Sequence, residues 1–179
     1  MSDPTVEAFE CAMGLLMYVA NDAKCGITFD GSIDIPETKS KSGKDDLRPH
    51  RNKIRSNGGF LAYSDSSWGP GVAYPMYGYV IYMFGGIISF ASKQLKVVAF
   101  SSCEAEYAAA SHCVREVSFI RQICADMGIV LNSPLVLIVD NTAAIAVAEN
   151  VGVSAKTKHF EQCLHHLRQQ VQLLRLTIY

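Results

Sequence analysis

The stretch that most constrains this chain is Ser101-Ser102-Cys103-Glu104-Ala105-Glu106-Tyr107, because its two glutamates must do different things. Ser101 with Glu104 three residues on is a capping box, in which the serine oxygen and the glutamate carboxylate each satisfy an orphan backbone N–H at a helix start. The rest of the helix, projected at 100° per residue, puts Glu106 on one stripe with Ala110, Cys113, Val117, Ile120, Cys124 and Met127. That stripe is the apolar face, so a carboxylate is aimed into the core. Burying it uncompensated costs several kcal/mol or keeps it protonated, and a cation or metal ion is expected beside it.

Two acidic strand ends make a metal the better choice. Gly59-Phe60-Leu61-Ala62-Tyr63-Ser64-Asp65 reads as a short aromatic-rich strand after a Gly-Gly break. Leu135-Val136-Leu137-Ile138-Val139-Asp140 is almost wholly aliphatic, follows Asn132-Ser133-Pro134, and leads into Asn141-Thr142-Ala143-Ala144, which opens a helix. A continuous aliphatic strand feeding a helix is what a strand covered on both faces looks like. Asp65 and Asp140 would then lie near the C-terminal ends of inner strands, where open α/β sheets build their sites. Alone, each is equally well a turn or helix-cap aspartate. With Glu106 they form a set.

The remaining elements fall into a definite order. After the Asp65 strand come Trp68-Gly69-Pro70-Gly71, a strand from Tyr77 to Phe84, the Gly85-Gly86 turn, and a strand from Ile87 to Ser92, which together make an antiparallel meander. A long helix from about Ser101 to Met127 is closed by Gly128. There follow the aliphatic strand, a short helix from Thr142 to about Glu149, an amphipathic helix from about Thr157 to Val171, and an apolar tail from Leu173 to Tyr179 that reads as a last strand. This is the ribonuclease H-like order: an α/β fold with a mixed five-stranded sheet, its first three strands antiparallel, flanked by helices.

Five segments in that order carry a closer likeness. Tyr63-Ser64-Asp65-Ser66-Ser67-Trp68, Ile88-Ser89-Phe90-Ala91-Ser92-Lys93-Gln94, the Ser101–Tyr107 run, Val139-Asp140-Asn141-Thr142-Ala143-Ala144-Ile145 and Lys156-Thr157-Lys158-His159 resemble the ribonuclease H region of copia-type LTR retrotransposon Pol polyproteins. The front also fits: Pro4 to about Phe29 resembles the helix and strand joining the reverse transcriptase part to the ribonuclease H part. The resemblance implies residues 1–37 as that connection, 38–57 as a basic linker and 58–179 as the ribonuclease H-like domain. It implies a metal-dependent endonuclease that cuts the RNA strand of an RNA–DNA hybrid during reverse transcription, with the reverse transcriptase of the same polyprotein as partner. Asp65, Glu106 and Asp140 carry over as catalytic metal ligands for two ions, and hard oxygen ligands suit Mg2+ or Mn2+. Lys93, Asn141, Lys156, Lys158 and His159 carry over as nucleic-acid contacts. The location implied is intracellular, in the cytoplasm within a virus-like particle, in the nucleus, or both.

The departures leave an alternative open. Such domains carry a fourth acidic residue in an Ala-Asp-containing motif just beyond the last strand, whereas this chain stops at Tyr179, and Glu161 is the nearest substitute. Residues 70–78 also lack the hydroxyl and basic side chains usual there, having Val72, Ala73, Tyr74, Pro75 and Met76. A catalytically weak or inactive domesticated nucleic-acid-binding module, favoured by the missing acid and the initiating Met1, is the second reading. A strand transferase or resolvase of the same fold is the third, and it ranks last because those enzymes take a late acid from a C-terminal helix.

Charge is unevenly placed. Thr38 to Asn57 holds seven basic residues against Asp45 and Asp46, a local net of +5 in a chain of net −1. Ser, Gly and Asn fill the gaps, so the segment reads as a solvated linker, able also to lie along phosphates with salt-dependent, sequence-blind affinity. His165, His166 and Arg168 join Lys156, Lys158 and His159 in a second basic cluster, whose histidines are either ordinary surface groups or, for His159, a proton shuttle near the scissile phosphate. The six cysteines show no metal-type spacing and read as reduced thiols. No apolar run is long enough to span a bilayer, and no membrane partner is expected.

Overall fold

The computed structural model describes residues 60–69, 74–96, 98–131, 134–149, 161–172 and 176–178, together with Ile54 and eight residues between Thr5 and Met17. Five strands and three helices are built from these: β1 (Leu61–Ser67), β2 (Met76–Met83), β3 (Gly86–Gln94), α1 (Ser102–Asp126), β4 (Leu135–Ile138), α2 (Thr142–Glu149), α3 (Glu161–Gln172) and β5 (Leu176–Ile178). The sheet order is β3-β2-β1-β4-β5. β1, β2 and β3 pair antiparallel, while β4 runs parallel to β1 and β5 parallel to β4. The expected mixed α/β sheet, antiparallel over its first three strands, is therefore present, and its topology is ribonuclease H-like.

The aliphatic strand is buried on both sides, as its composition requires. Leu135 and Leu137 enter the main core with α1, whereas Val136 points the other way into a smaller cluster with Leu61 and Ile54. Ile54 is fully buried, so the basic segment 38–57 is anchored on the sheet at that residue and is not solvated throughout. At the front, Val6, Phe9, Met13, Leu16 and Met17 are helical and exposed, while the strand expected near Gly26–Phe29 lies outside the described residues.

Helix α1 obeys its period. Ala110, Cys113, Val117 and Cys124 are buried along the expected stripe and Ile120 packs partly buried against it, but Met127 is 62% exposed because it is the C-cap. Gly128 follows at φ +76°, with its N–H on the Ala125 carbonyl and the Ile129 N–H on the Cys124 carbonyl at 2.8 Å. That Schellman pattern needs a left-handed residue after the cap, which glycine adopts without a Cβ clash.

The β2–β3 turn departs by one residue from the expected Gly-Gly. Phe84 and Gly85 are the corner residues, both left-handed at φ 51° and 81°, and Gly86 is the first residue of β3, paired with Met83. A two-residue turn matching strand twist requires φ above zero at both corners. The ladder shifts register between Ile81 and Tyr82, and it is the Tyr82–Ile87 and Met83–Gly86 pairs beyond that irregularity that leave Phe84 and Gly85 as the two turning residues.

Candidate metal centre

Alternation along β1 sends Ala62, Ser64 and Ser66 toward α1, and Leu61, Tyr63 and Asp65 to the opposite face. Asp65 therefore reaches the site from the sheet, and Glu106 comes down on it from the first turns of α1. Two polar pins set that approach. The Ser101 hydroxyl accepts from the Glu104 N–H at 3.2 Å, and the Trp68 indole N–H donates to the Ala99 carbonyl at 3.0 Å, tying the end of β1 to the residues just before α1. Glu104 stays at the helix start as expected, although its Oε2 accepts from the Phe100 N–H at 2.7 Å, one residue earlier than a capping box would place it. Asp140 follows β4 immediately before Asn141, whose side-chain oxygen accepts from the Ala144 N–H at 3.0 Å and caps α2.

The three carboxylates converge. Asp65, Glu106 and Asp140 each offer an oxygen, and these oxygens all lie within 4.8 Å of one another. Asp65 and Asp140 are exposed, whereas Glu106 is only 5% exposed. Glu106 Oε1 accepts from the Ser66 hydroxyl at 2.7 Å and from the Ser66 N–H at 3.1 Å, and the same N–H also reaches Asp65 Oδ1 at 2.8 Å. Glu106 Oε2 is buried with no hydrogen-bond partner among the described residues. Burial pushes the Glu106 carboxyl above the usual carboxylate range; the Ser66 hydrogen bonds oppose the shift, and the Asp65 and Asp140 charges add to it.

Such a donor set fits a hard divalent cation. All the ligand atoms are carboxylate oxygens, one of them buried and otherwise unsatisfied. The three oxygens are close enough that modest side-chain rotations would let all of them reach one hard divalent cation.

The other residues singled out in the sequence are placed differently. Lys93 lies exposed on β3, directly across from Tyr77. Asn141 spends its side-chain oxygen on the α2 cap. Lys156, Lys158 and His159 lie outside the described residues, as does the side chain of Glu161. His166 is half-buried with Nδ1 unpartnered among the described residues, and burial lowers its pKa. Cys113 and Cys124 are buried free thiols, and Cys103 is a half-buried one.

Two features escaped sequence reasoning. Ser66 is the residue that orients Glu106; its signal was present, since alternation places it on the α1 side of β1, but its reach to Glu106 depends on how α1 seats. His112 stacks on Tyr77 with ring centroids 4.3 Å apart and accepts from the Arg115 guanidinium at 2.6 Å. Burial, Arg115 and Lys93 lower its pKa to about 4, so this imidazole is neutral at physiological pH. Nothing in local spacing pairs residues 77 and 112.

Comparison with known proteins follows the same line. The sequence matches no family model. It is 35% identical over 113 residues to the retrovirus-related Pol polyprotein from transposon RE2 of Arabidopsis thaliana, covering 62% of this chain and 8% of that protein. It is 34% identical over 94 residues to the Pol polyprotein from transposon TNT 1-94 of Nicotiana tabacum, covering 52% of this chain and 7% of that one. Among solved structures, LC11-RNase H1 in complex with an RNA/DNA hybrid is similar at a TM-score of 0.48 and 12% identity, over 67% of this chain and 83% of that one. Sheet topology and carboxylate cluster define a protein of ribonuclease H-like fold. More particularly, the chain is similar to a short segment of retrovirus-related Pol polyproteins from plant transposons, spanning about 8% of the length of the one from RE2.

Proposed function

We propose that this chain is a metal-dependent endonuclease that cuts the RNA strand of RNA–DNA hybrids during retrotransposon reverse transcription. One observation carries the reading: three carboxylate oxygens within 4.8 Å, with the buried Glu106 Oε2 unsatisfied among the described residues. Asp65, Glu106 and Asp140 would hold two ions, Mg2+ or Mn2+. When bound, such a pair activates water and stabilises the leaving oxygen of an in-line phosphoryl displacement. The chain's own residues supply placement. Ser66 holds Glu106 in one orientation, its N–H draws Asp65 toward the same point, and the α2 cap fixes the chain at Asp140. Residues 58–179 form the nuclease unit, with 1–37 and the basic 38–57 leading into it from the reverse transcriptase part of the polyprotein. Lys93, Lys156, Lys158 and His159 contact the hybrid, and the setting is intracellular.

A weak or inactive hybrid-binding module is the second reading, favoured because the cluster holds three acids and no fourth among the described residues. The deciding experiment is cleavage of a labelled hybrid beside single-stranded RNA, with Asp140→Asn as the blank. The proposal expects metal-dependent cutting of the hybrid, faster with Mn2+ than Mg2+, and a loss of about 100-fold or more in the variant, as for removal of a pre-organised charge stabiliser. Equal cutting by both proteins would overturn it, and binding without cutting would select the module.

A further inference from the structure

In the β1–β2 pairing, Asp65 stands directly opposite Gly78. Both face away from α1, on the side where Tyr63, Val80 and Ile138 also lie, and these residues with Asp140 bound a cleft of about 390 Å³ that opens beside the carboxylates. A glycine inside a strand weakens it and often marks a place where a ligand approaches closely. Neither conformation nor packing explains this one. Gly78 is not among the glycines with positive φ, and among the described residues a Cβ built on it would meet only the Ala91 carbonyl oxygen, at an ordinary 3.5 Å. The fold itself would accept alanine there. What alanine would remove is free space in the cleft, next to Asp65.

The lining indicates the occupant. Two carboxylates form one wall, and the others are the Tyr63 ring, held edge-on by Tyr82 with centroids 6.1 Å apart, and the side chains of Val80 and Ile138. Ser64, Tyr79 and Ala91 complete the lining, and no amide or guanidinium side chain lines the cleft among the described residues, so it lacks the groups that make bidentate contacts to purine edges. A volume near the lower end for small-ligand pockets suits one sugar unit of a strand whose phosphate sits at the carboxylates.

Resting on the proposed function, we propose that this cleft seats the sugar of a nucleotide adjacent to the scissile phosphate, and that Gly78 is the specificity-determining residue that keeps it open. The contact is independent of base identity and separate from metal binding. Its test uses Gly78→Ala and Gly78→Val in the 179-residue chain. Two quantities are read: the rise in melting temperature with Mn2+, and the affinity for a fluorescent RNA–DNA hybrid in Ca2+. The expected result is an unchanged Mn2+ response with hybrid affinity falling several-fold for Ala and about tenfold or more for Val, the scale of an added carbon in a filled pocket. Affinity unchanged in both variants overturns the proposal, as does loss of the Mn2+ response together with affinity, which would make Gly78 part of the metal site. If Gly78→Val fails to fold, Gly78→Ala decides alone, since its only new contact among the described residues is the 3.5 Å one. A wild-type chain that binds no hybrid would overturn the functional reading itself, a failure visible before any variant is measured.

Discussion

Replacing Glu106 by glutamine should make the metal-free protein more stable and the metal-loaded protein less so. The side chain is 5% exposed, its Oε2 has no partner among the described residues, and two other carboxylates lie within 4.8 Å. An isosteric amide removes the buried charge, keeps an oxygen for Ser66, and presents an N–H2 that can donate to Asp65 or Asp140 in place of the orphaned Oε2. Leaving a buried polar atom unsatisfied costs about 1–3 kcal/mol, so relief of about 1–2 kcal/mol is expected. In a domain of this size that raises the melting temperature by about 2–8 °C. The wild type instead gains about 2.7 kcal/mol, or about 5–11 °C, at a metal concentration 100 times the dissociation constant, and the variant gains little of it. Thermal melts of both proteins with EDTA and with millimolar Mn2+ should therefore cross. A variant that melts below wild type in EDTA, or that keeps the full Mn2+ shift, would refute the reasoning.

Ser66→Ala removes the 2.7 Å hydrogen bond to Glu106 while sparing the backbone one, and should weaken Mn2+ binding several-fold, measured by titration calorimetry. It should also push the Glu106 carboxyl further up, since that hydroxyl favours the charged form. Because the folded-state pKa of Glu106 already lies above its unfolded value, the folded metal-free protein binds the extra proton. Its contribution to stability is then fully present below the unfolded carboxylate pKa and lost as pH rises through the folded one; denaturant midpoints in EDTA from pH 4 upward, compared with Glu106→Gln, should show this fall only in wild type. Phe84→Asn puts a residue tolerant of φ 51° at the β2–β3 corner and should stabilise by about 1 kcal/mol in the same denaturant assay.

How far the sequence could be read depended on the range of the forces involved. The division of labour between Glu104 and Glu106 is a matter of helix period and capping, both local, and it was legible. So was β4, because a strand covered on both faces has no polar position to spare. The β2–β3 corner was misplaced by one residue, since Phe84-Gly85-Gly86 offers two possible turns and the Met83–Gly86 pair, set beyond a register shift at Ile81–Tyr82, selects between them. Ser66 and the His112–Tyr77 stack were out of reach for a related reason: each depends on how α1 seats on the sheet, which no window of neighbouring residues encodes. Ile54 was missed because an isolated apolar residue among so many charges reads as linker, although it is fully buried in the smaller core with Leu61 and Val136.

The central claim is that Asp65, Glu106 and Asp140 form one metal centre, and its most direct test is a crystal of this chain soaked in Mn2+ with anomalous diffraction recorded at the manganese edge. Two anomalous peaks about 3.5–4 Å apart, ligated by those three carboxylates at about 2.0–2.2 Å with Glu106 Oε2 among the ligands, is the outcome this account requires. Manganese bound elsewhere, or Glu106 Oε2 left unligated at saturating metal, would contradict it.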